Sequence, residues 1–249
     1  PTTGEKQVAF ELADLLGRIT GAQFEVLVDG LEYVVLASDS TPVYALETVG
    51  GLAMDLNDNI LVGEDGNPGT YTVFENDAGA GQAIITLQST GGPQSPQGID
   101  VHTDGTVAVA VRTTSGNGEI QFYESGGSFL SSFSVGAHGG CSGVAFNAAG
   151  DVWVTSETTF GVRRFRQSDG AMLQQVTSTP GLDRTFLFNC TGVDVDTAGR
   201  VYFSDYCRVV RFDPANPSGT MELFAGLGGF GFPTGSGEGE FGPDLGGID

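Results

Sequence analysis

Four ten-residue segments that align without a gap predict an all-β chain built as a radial array of short four-stranded sheets. That architecture is a β-propeller, expected here with five or six blades and a short N-terminal helix. The segments are GLAMDLNDNI from Gly51, GIDVHTDGTV from Gly98, GVAFNAAGDV from Gly143 and GVDVDTAGRV from Gly192. They start 47, 45 and 49 residues apart, and a fifth start, Gly247-Ile248-Asp249, follows after 55. A unit of four strands repeated at this period matches a propeller blade, where radial repetition leaves only short sheet edges.

The elements follow in order. Lys6 to Ile19 places Val8, Leu12, Leu15 and Ile19 on one helical face, with Gly17 and Gly21 near its end, so residues 1–20 read as a capping helix and 21–249 as the propeller. Phe24 to Val28, Glu32 to Ala37 and Pro42 to Leu46 read as strands, with Asp29-Gly30 as a hairpin turn. This first unit is one strand short. If Gly247 to Asp249 supplies the missing strand, the ring closes with five blades; if the natural chain runs on, six is expected. In the third full unit the strands are Val144 to Phe146, Val152 to Thr155, Val162 to Arg166 and Met172 to Val176, each with period-2 alternation between turn residues. The first turn of each unit has a mechanism. Asp55, Asn147 and Asp196 can bond the backbone two residues on, while Gly105, Gly150 and Gly199 can take positive φ. Trp153 and Tyr202 share one repeat position and are expected to pack between blades.

The stretches TGVDVDTAGRVYFSDYCRVVRFD and SGVAFNAAGDVWVTSETTFGVRRF resemble NHL-type propeller repeats. FAGLGGFGFPTGSGEGEFGPDLGGID is similar to the glycine-rich lead-in of such a repeat. The resemblance spans roughly residues 51–249 and implies a fold rather than an activity, because this architecture hosts enzymes, sensors and scaffolds alike.

Composition narrows the partners. Thirty-one acidic residues face ten basic ones, for a net charge of −21, and the pI is near 4.1. Clustered Lys and Arg are what phosphate binding needs, so nucleic acid is excluded as a partner, and an anionic membrane surface is disfavoured. No apolar run is long enough to span a bilayer. The chain opens on Pro1 rather than Met, which reads as a processed product. Strong acidity with a single lysine suits an extracellular or periplasmic protein.

Topology sorts the chemistry by face. Loops entering first strands and loops joining second to third strands share one face, the top. Cys141, Cys190, Cys207 and His138 fall there. Three cysteines leave at least one unpaired within the chain, and Cys190 is placed to reach either neighbour. Buried thiols, one disulfide, or a soft-metal site with His138 are the readings. Two histidines are too few for a three-histidine zinc site, and His102 occupies a turn position. Neither a nucleophile elbow nor a phosphate loop is present. The third residue of the repeat is Ala53 and Ala145 in two units but Asp100, Asp194 and Asp249 in the others. These carboxylates line the expected channel, where a cation such as Ca2+, solvation, or local bonding could offset their charge. Glu64, Asp65, Glu157 and Asp205, with Arg112 as the one positive counterpart, are the remaining top-face candidates. The reading that follows is an extracytoplasmic recognition or scaffold module binding a protein or glycan through its top face. The alternative is a divalent-metal-dependent hydrolase or lyase of the gluconolactonase-like propeller type, with a channel ion polarising a carbonyl.

Overall fold

A computed structural model describes residues 24–29, 32–37, 49–65, 69–74, 82–88, 94–113, 116–136, 140–156, 161–182, 185, 187 and 189–226. The first pair of strands, β1 (Phe24–Asp29) and β2 (Glu32–Ala37), forms a two-stranded antiparallel sheet. Four four-stranded sheets follow. Blade one holds β3 (Val49–Met54), β4 (Ile60–Glu64), β5 (Thr70–Phe74) and β6 (Gln82–Thr86). Blade two holds β7 (Gln94–Val101), β8 (Val107–Thr113), β9 (Gly118–Tyr123) and β10 (Phe129–Gly136). Blade three holds β11 (Val144–Phe146), β12 (Val152–Ser156), β13 (Gly161–Phe165) and β14 (Met172–Val176). Blade four holds β15 (Val193–Val195), β16 (Val201–Asp205), β17 (Arg208–Phe212) and β18 (Glu222–Gly226). Every neighbouring pair is antiparallel and consecutive in sequence, and the first strands β3, β7, β11 and β15 lie side by side in that order.

The described residues therefore hold four complete blades where five or six were expected. The difference lies at the ends: only two strands of the first unit are described, and Gly247 to Asp249 lies outside the described residues, as does the helix expected over Lys6 to Ile19. Among the described residues the helix content is one turn, α1 (Pro217–Thr220).

The repeat glycine is required by packing. A Cβ on Gly51 would stand 2.9 Å from the Cα of Gly98, and one on Gly98 would stand 3.0 Å from the Cα of Gly143. First strands converge here, and no side chain fits between them. The same place carries a bulge. The β3–β4 register slips between Val49 and Leu52, and the β7–β8 register slips between Pro96 and Gly98. The turn chemistry is as the sequence predicts: Asp196 Oδ1 accepts the N–H of Ala198 at 3.0 Å and of Arg200 at 2.9 Å, and Gly199 has φ +80°.

Three apolar clusters fill the seams between blades. Blades one and two share Leu61, Tyr71, Ile99, Val109 and Tyr123. Blades two and three share Ile120, Phe122, Val144, Val154 and Phe165. Blades three and four share Trp153, Val162, Phe203, Val210 and Phe212. Each seam is keyed by the aromatic that ends a third strand and leans on the preceding blade. Tyr123 meets Tyr71 at 5.4 Å, Phe165 meets Phe133 at 5.5 Å and Phe212 meets Trp153 at 5.5 Å between ring centroids. Tyr202 holds the same position in blade four. Its ring packs on Phe224 of its own outer strand at 5.0 Å, on the face of blade four turned away from blade three.

Candidate functional site

The channel carboxylates have a structural use. Asp100 sits on β7, the inner edge strand of blade two. Its Oδ1 accepts the N–H of Val101 at 2.8 Å, and its Oδ2 accepts the N–H of Phe146 at 2.6 Å, across the seam in β11. An inner edge strand exposes backbone donors with no ladder partner, and the carboxylate satisfies one of them. Charge-assisted bonds of this kind are among the stronger hydrogen bonds in proteins. Asp194 uses its Oδ1 in the same way, accepting the Val195 N–H at 2.7 Å. These contacts give both carboxylates local bonding to backbone. Asp249 lies outside the described residues. Among the described residues, no group of three or more His, Cys, Asp and Glu side chains gathers as a metal site would require.

A layer of hydroxyls lies next to this ring. Thr155, fully buried, accepts the Gly143 N–H at 2.9 Å and donates to the Thr191 carbonyl of the next blade at 3.0 Å. Ser204 holds the equivalent place in blade four, accepting the Gly192 N–H at 2.7 Å. Both residues stand twelve positions after their repeat glycine, a coincidence visible in the sequence that residue type alone does not flag as functional.

The top-face candidates divide. Asp65 is exposed and accepts the Ser95 hydroxyl, and Ser95 in turn accepts from the Gln97 amide. This chain of polar groups ties the loop after β4 to the entry of β7. Glu64 lies beside the hydroxyls of Thr70 and Thr72, at 3.5 and 3.4 Å. Arg112 is half-buried, and a Cβ on Gly140 would stand 2.9 Å from its Nε. Asp205, expected as a loop charge, is 0% exposed and paired with Arg208, also 0% exposed, at 2.7 Å. Arg208 additionally donates to Thr179 at 3.0 Å. The reason is the tight β16–β17 connection, which sets Asp205 opposite Arg208 and buries both against the loop entering blade four. Tyr206 at its tip has φ +64° and faces Asn189, φ +56°, donating its N–H to the Asn189 carbonyl at 3.4 Å. Glu157 and His138 lie outside the described residues.

The cysteines are packing groups. All three are buried, and none is in a disulfide. Cys141 donates its thiol toward the carbonyls of Val111 at 3.3 Å and Glu119 at 3.4 Å, inside the seam of blades two and three. Burial pushes this thiol up to about 12, which removes thiolate character at neutral pH. Cys190 occupies the matching place in the next seam. His102 joins a turn network, its Nδ1 3.0 Å from Asp104, with its ring 5.1 Å from Phe146. Ser95, Gln97, Thr179 and Arg208 were not singled out from the sequence, because each matters only through a partner brought close by folding.

No family model matches this chain, and no curated protein matches it in sequence. Solved structures do resemble it. A protein of unknown function from Bacteroides caccae superposes with a TM-score of 0.55 at 13% identity, covering 82% of this chain and 72% of that one. A gluconolactonase from Xanthomonas campestris, described as important in glucose secondary metabolic pathways, gives a TM-score of 0.54 at 17% identity over 70% of this chain and 61% of its own. A protein of unknown function from Bacteroides thetaiotaomicron gives 0.55 at 15% identity over 78% and 50%. The chain thus spans less than two thirds of the latter two. At these identities the likeness is one of fold, and the class it defines is the β-propeller. No helix among the described residues is long and apolar enough to cross a membrane.

Proposed function

We propose that this chain is an extracytoplasmic recognition or scaffold module, built of NHL-type repeats, that binds a protein or glycan partner through its top face. The observation that supports the reading is the chain of polar groups on the top-face loops, in which Asp65 accepts from Ser95 and Ser95 from Gln97. Asp65 is exposed there, and Ser95, Gln97 and Arg112 are half-buried, with Ser95 opposite Arg112 across the β7–β8 pair. A surface with net charge −21 favours a partner bearing positive charge, and attraction of that kind sets on-rate and specificity. The test uses an oligolysine peptide as probe in fluorescence anisotropy, at low and high salt. Reversing the top-face charges (Glu64→Lys with Asp65→Lys) should weaken binding far more than reversing two on the opposite face (Asp58→Lys with Asp169→Lys). Equal losses from both pairs would mean that only diffuse charge is being sensed, and the top-face reading would fail.

A second reading has one observation in its favour, the superposition on a gluconolactonase. A metal-dependent lactone hydrolase of that kind would use a divalent cation such as Ca2+ as Lewis acid. Among the described residues no group of three or more His, Cys, Asp and Glu side chains gathers, so no step is assigned through such an ion. Hydrolysis of δ-gluconolactone with added Ca2+, followed by pH-stat against buffer alone, separates the two readings.

A further inference from the structure

We infer that the top of the seam between blades two and three is a binding site for an oxyanion, a carboxylate or phosphate group held between Arg112 and Arg163. Arg163 is a cation with no counter-charge among the described residues, in a chain of 31 acidic and 10 basic ones. Arg166, Arg200, Arg208 and Arg211 each pair with a carboxylate, and Arg164 stacks on Trp153. Arg163 does neither. It is half-buried, and its Nε is buried with no acceptor among the described residues. Burial holds its guanidinium below the usual arginine value, yet an arginine stays charged at neutral pH. A charge withdrawn from water without a partner is costly.

Packing does not require that charge. Arg163 stands opposite Val154, two residues before the aromatic that ends its strand. Gln121 holds the same place in blade two, opposite Val109, and Val210 holds it in blade four, opposite Phe203. Gln121 accepts the Gln88 N–H at 3.2 Å and donates to the Gln88 carbonyl at 3.0 Å, tying down the chain that enters blade two. Val210 fills the seam of blades three and four. A neutral amide or an aliphatic side chain thus suffices where blade three has an arginine. Arg112 comes from the other wall. It alternates along β8 with Ala108 and Ala110, which line the seam of blades two and three. A Cβ on Gly140 would stand 2.9 Å from its Nε, and its charge is felt by the Cys141 thiol. Cys141 shares an apolar cluster with Val154, the residue opposite Arg163. Glu119 of β9 turns to the other seam, where it accepts from Gln121 at 3.3 Å. Two guanidinium groups therefore enter one seam from opposite walls, and an anion between them relieves their repulsion. The planar guanidinium fork suits carboxylate and phosphate oxygens. Ser142, next to Cys141, is 6% exposed with its hydroxyl unpartnered among the described residues, and it offers a further donor. This site is separate from the acidic contact proposed above for a basic partner.

Calorimetric titration of the full chain with inorganic phosphate and with succinate tests this, at constant moderate ionic strength balanced with chloride to screen the overall negative charge. At least one probe should bind saturably at a single site, and the tighter one identifies the group. Arg163→Gln, the residue blade two already carries at that place, and Arg112→Gln should each weaken this binding by about tenfold or more. Arg166→Gln, which removes an exposed ion pair with Asp169, should leave it unchanged. Thermal melts give a second readout. In chloride, Arg163→Gln should melt at or above the wild type, because a half-buried charge without a partner is gone. Saturating probe should then raise the melting temperature of the wild type and not of Arg163→Gln. If neither probe binds the wild type saturably, or if Arg163→Gln and Arg112→Gln bind as tightly as Arg166→Gln, the inference is overturned. Arg163→Gln melting well below the wild type in chloride would overturn it too, since the guanidinium would then serve the fold itself.

Discussion

Replacing Asp100 by alanine isolates the link between blades two and three. The side chain makes two bonds to backbone donors, one local at 2.8 Å and one to Phe146 at 2.6 Å. Hydrogen bonds to a charged group contribute roughly 1.5–3 kcal/mol each when buried, and less where water can step in. Asp100 is half-buried, so water would recover part of the loss, and relief of repulsion in a chain of charge −21 would offset a little more. The native alanines at the same repeat position, Ala53 and Ala145, show that the backbone tolerates the change. A net cost of about 2 kcal/mol follows, which for a chain of this size lowers the melting temperature by roughly 4–8 °C. Asp100→Asn keeps one acceptor oxygen and should lose about half as much. Urea melts of the three proteins, followed by the single tryptophan, Trp153, would report these values at unchanged m. If Asp100→Ala is as stable as the wild type, the carboxylate does not hold the seam, and its presence in the channel needs another cause.

Further outcomes can be checked beside it. Trp153 is 0% exposed between Phe212 and its own sheet, so Trp153→Ala should cost about 3–5 kcal/mol in denaturant melts. Gly98→Ala would set a Cβ 3.0 Å from both Gly143 Cα and Ser142 O, and should destabilise by about 1–3 kcal/mol, read as a lower urea midpoint. The buried Cys141 thiol, raised to about 12, favours the folded state fully below the ordinary thiol value of roughly 8.5. That contribution should fade as pH rises toward 12, and a thiol reagent should label no cysteine until the protein is unfolded. Asp104, held at about 2 chiefly by the Thr106 N–H, then by the Thr106 hydroxyl and His102, acts in the other direction. Its contribution is present above the ordinary carboxylate range and lost as pH falls toward 2, so Asp104→Asn should flatten that part of an acid melt.

Much of the fold was legible because it is written locally. The Asx turn that directly follows a first strand lies within a few positions of what it controls, and the repeat glycine recurs at a regular interval because it packs against the next blade. Trp153 was placed correctly between blades by its repeat position alone. Tyr202 shares that position on the face of blade four turned from blade three, where what covers it depends on which sheet comes next. The channel chemistry was harder to read. The donor that answers Asp100 is a backbone N–H 46 residues away, and any residue but proline supplies one, so no side-chain pattern announces it. Asp205 was expected at the surface because a hairpin tip is usually solvated. Its burial follows from Arg208 and Thr179 closing over it, a three-way contact that spacing does not disclose. Ser95 and Asp65 meet across thirty residues of chain for the same reason.

The channel carboxylates either hold blades together or hold an ion. Calorimetric titration of Ca2+ into chelator-treated protein, at moderate salt to suppress diffuse binding, asks this directly, with Asp100→Ala and Asp194→Ala measured alongside. If the carboxylates hold the blades, the wild type shows no saturable one-to-one site and both variants give the same weak heats. Stoichiometric binding in the wild type that either substitution abolishes would contradict it and would move the metal-dependent hydrolase to the front.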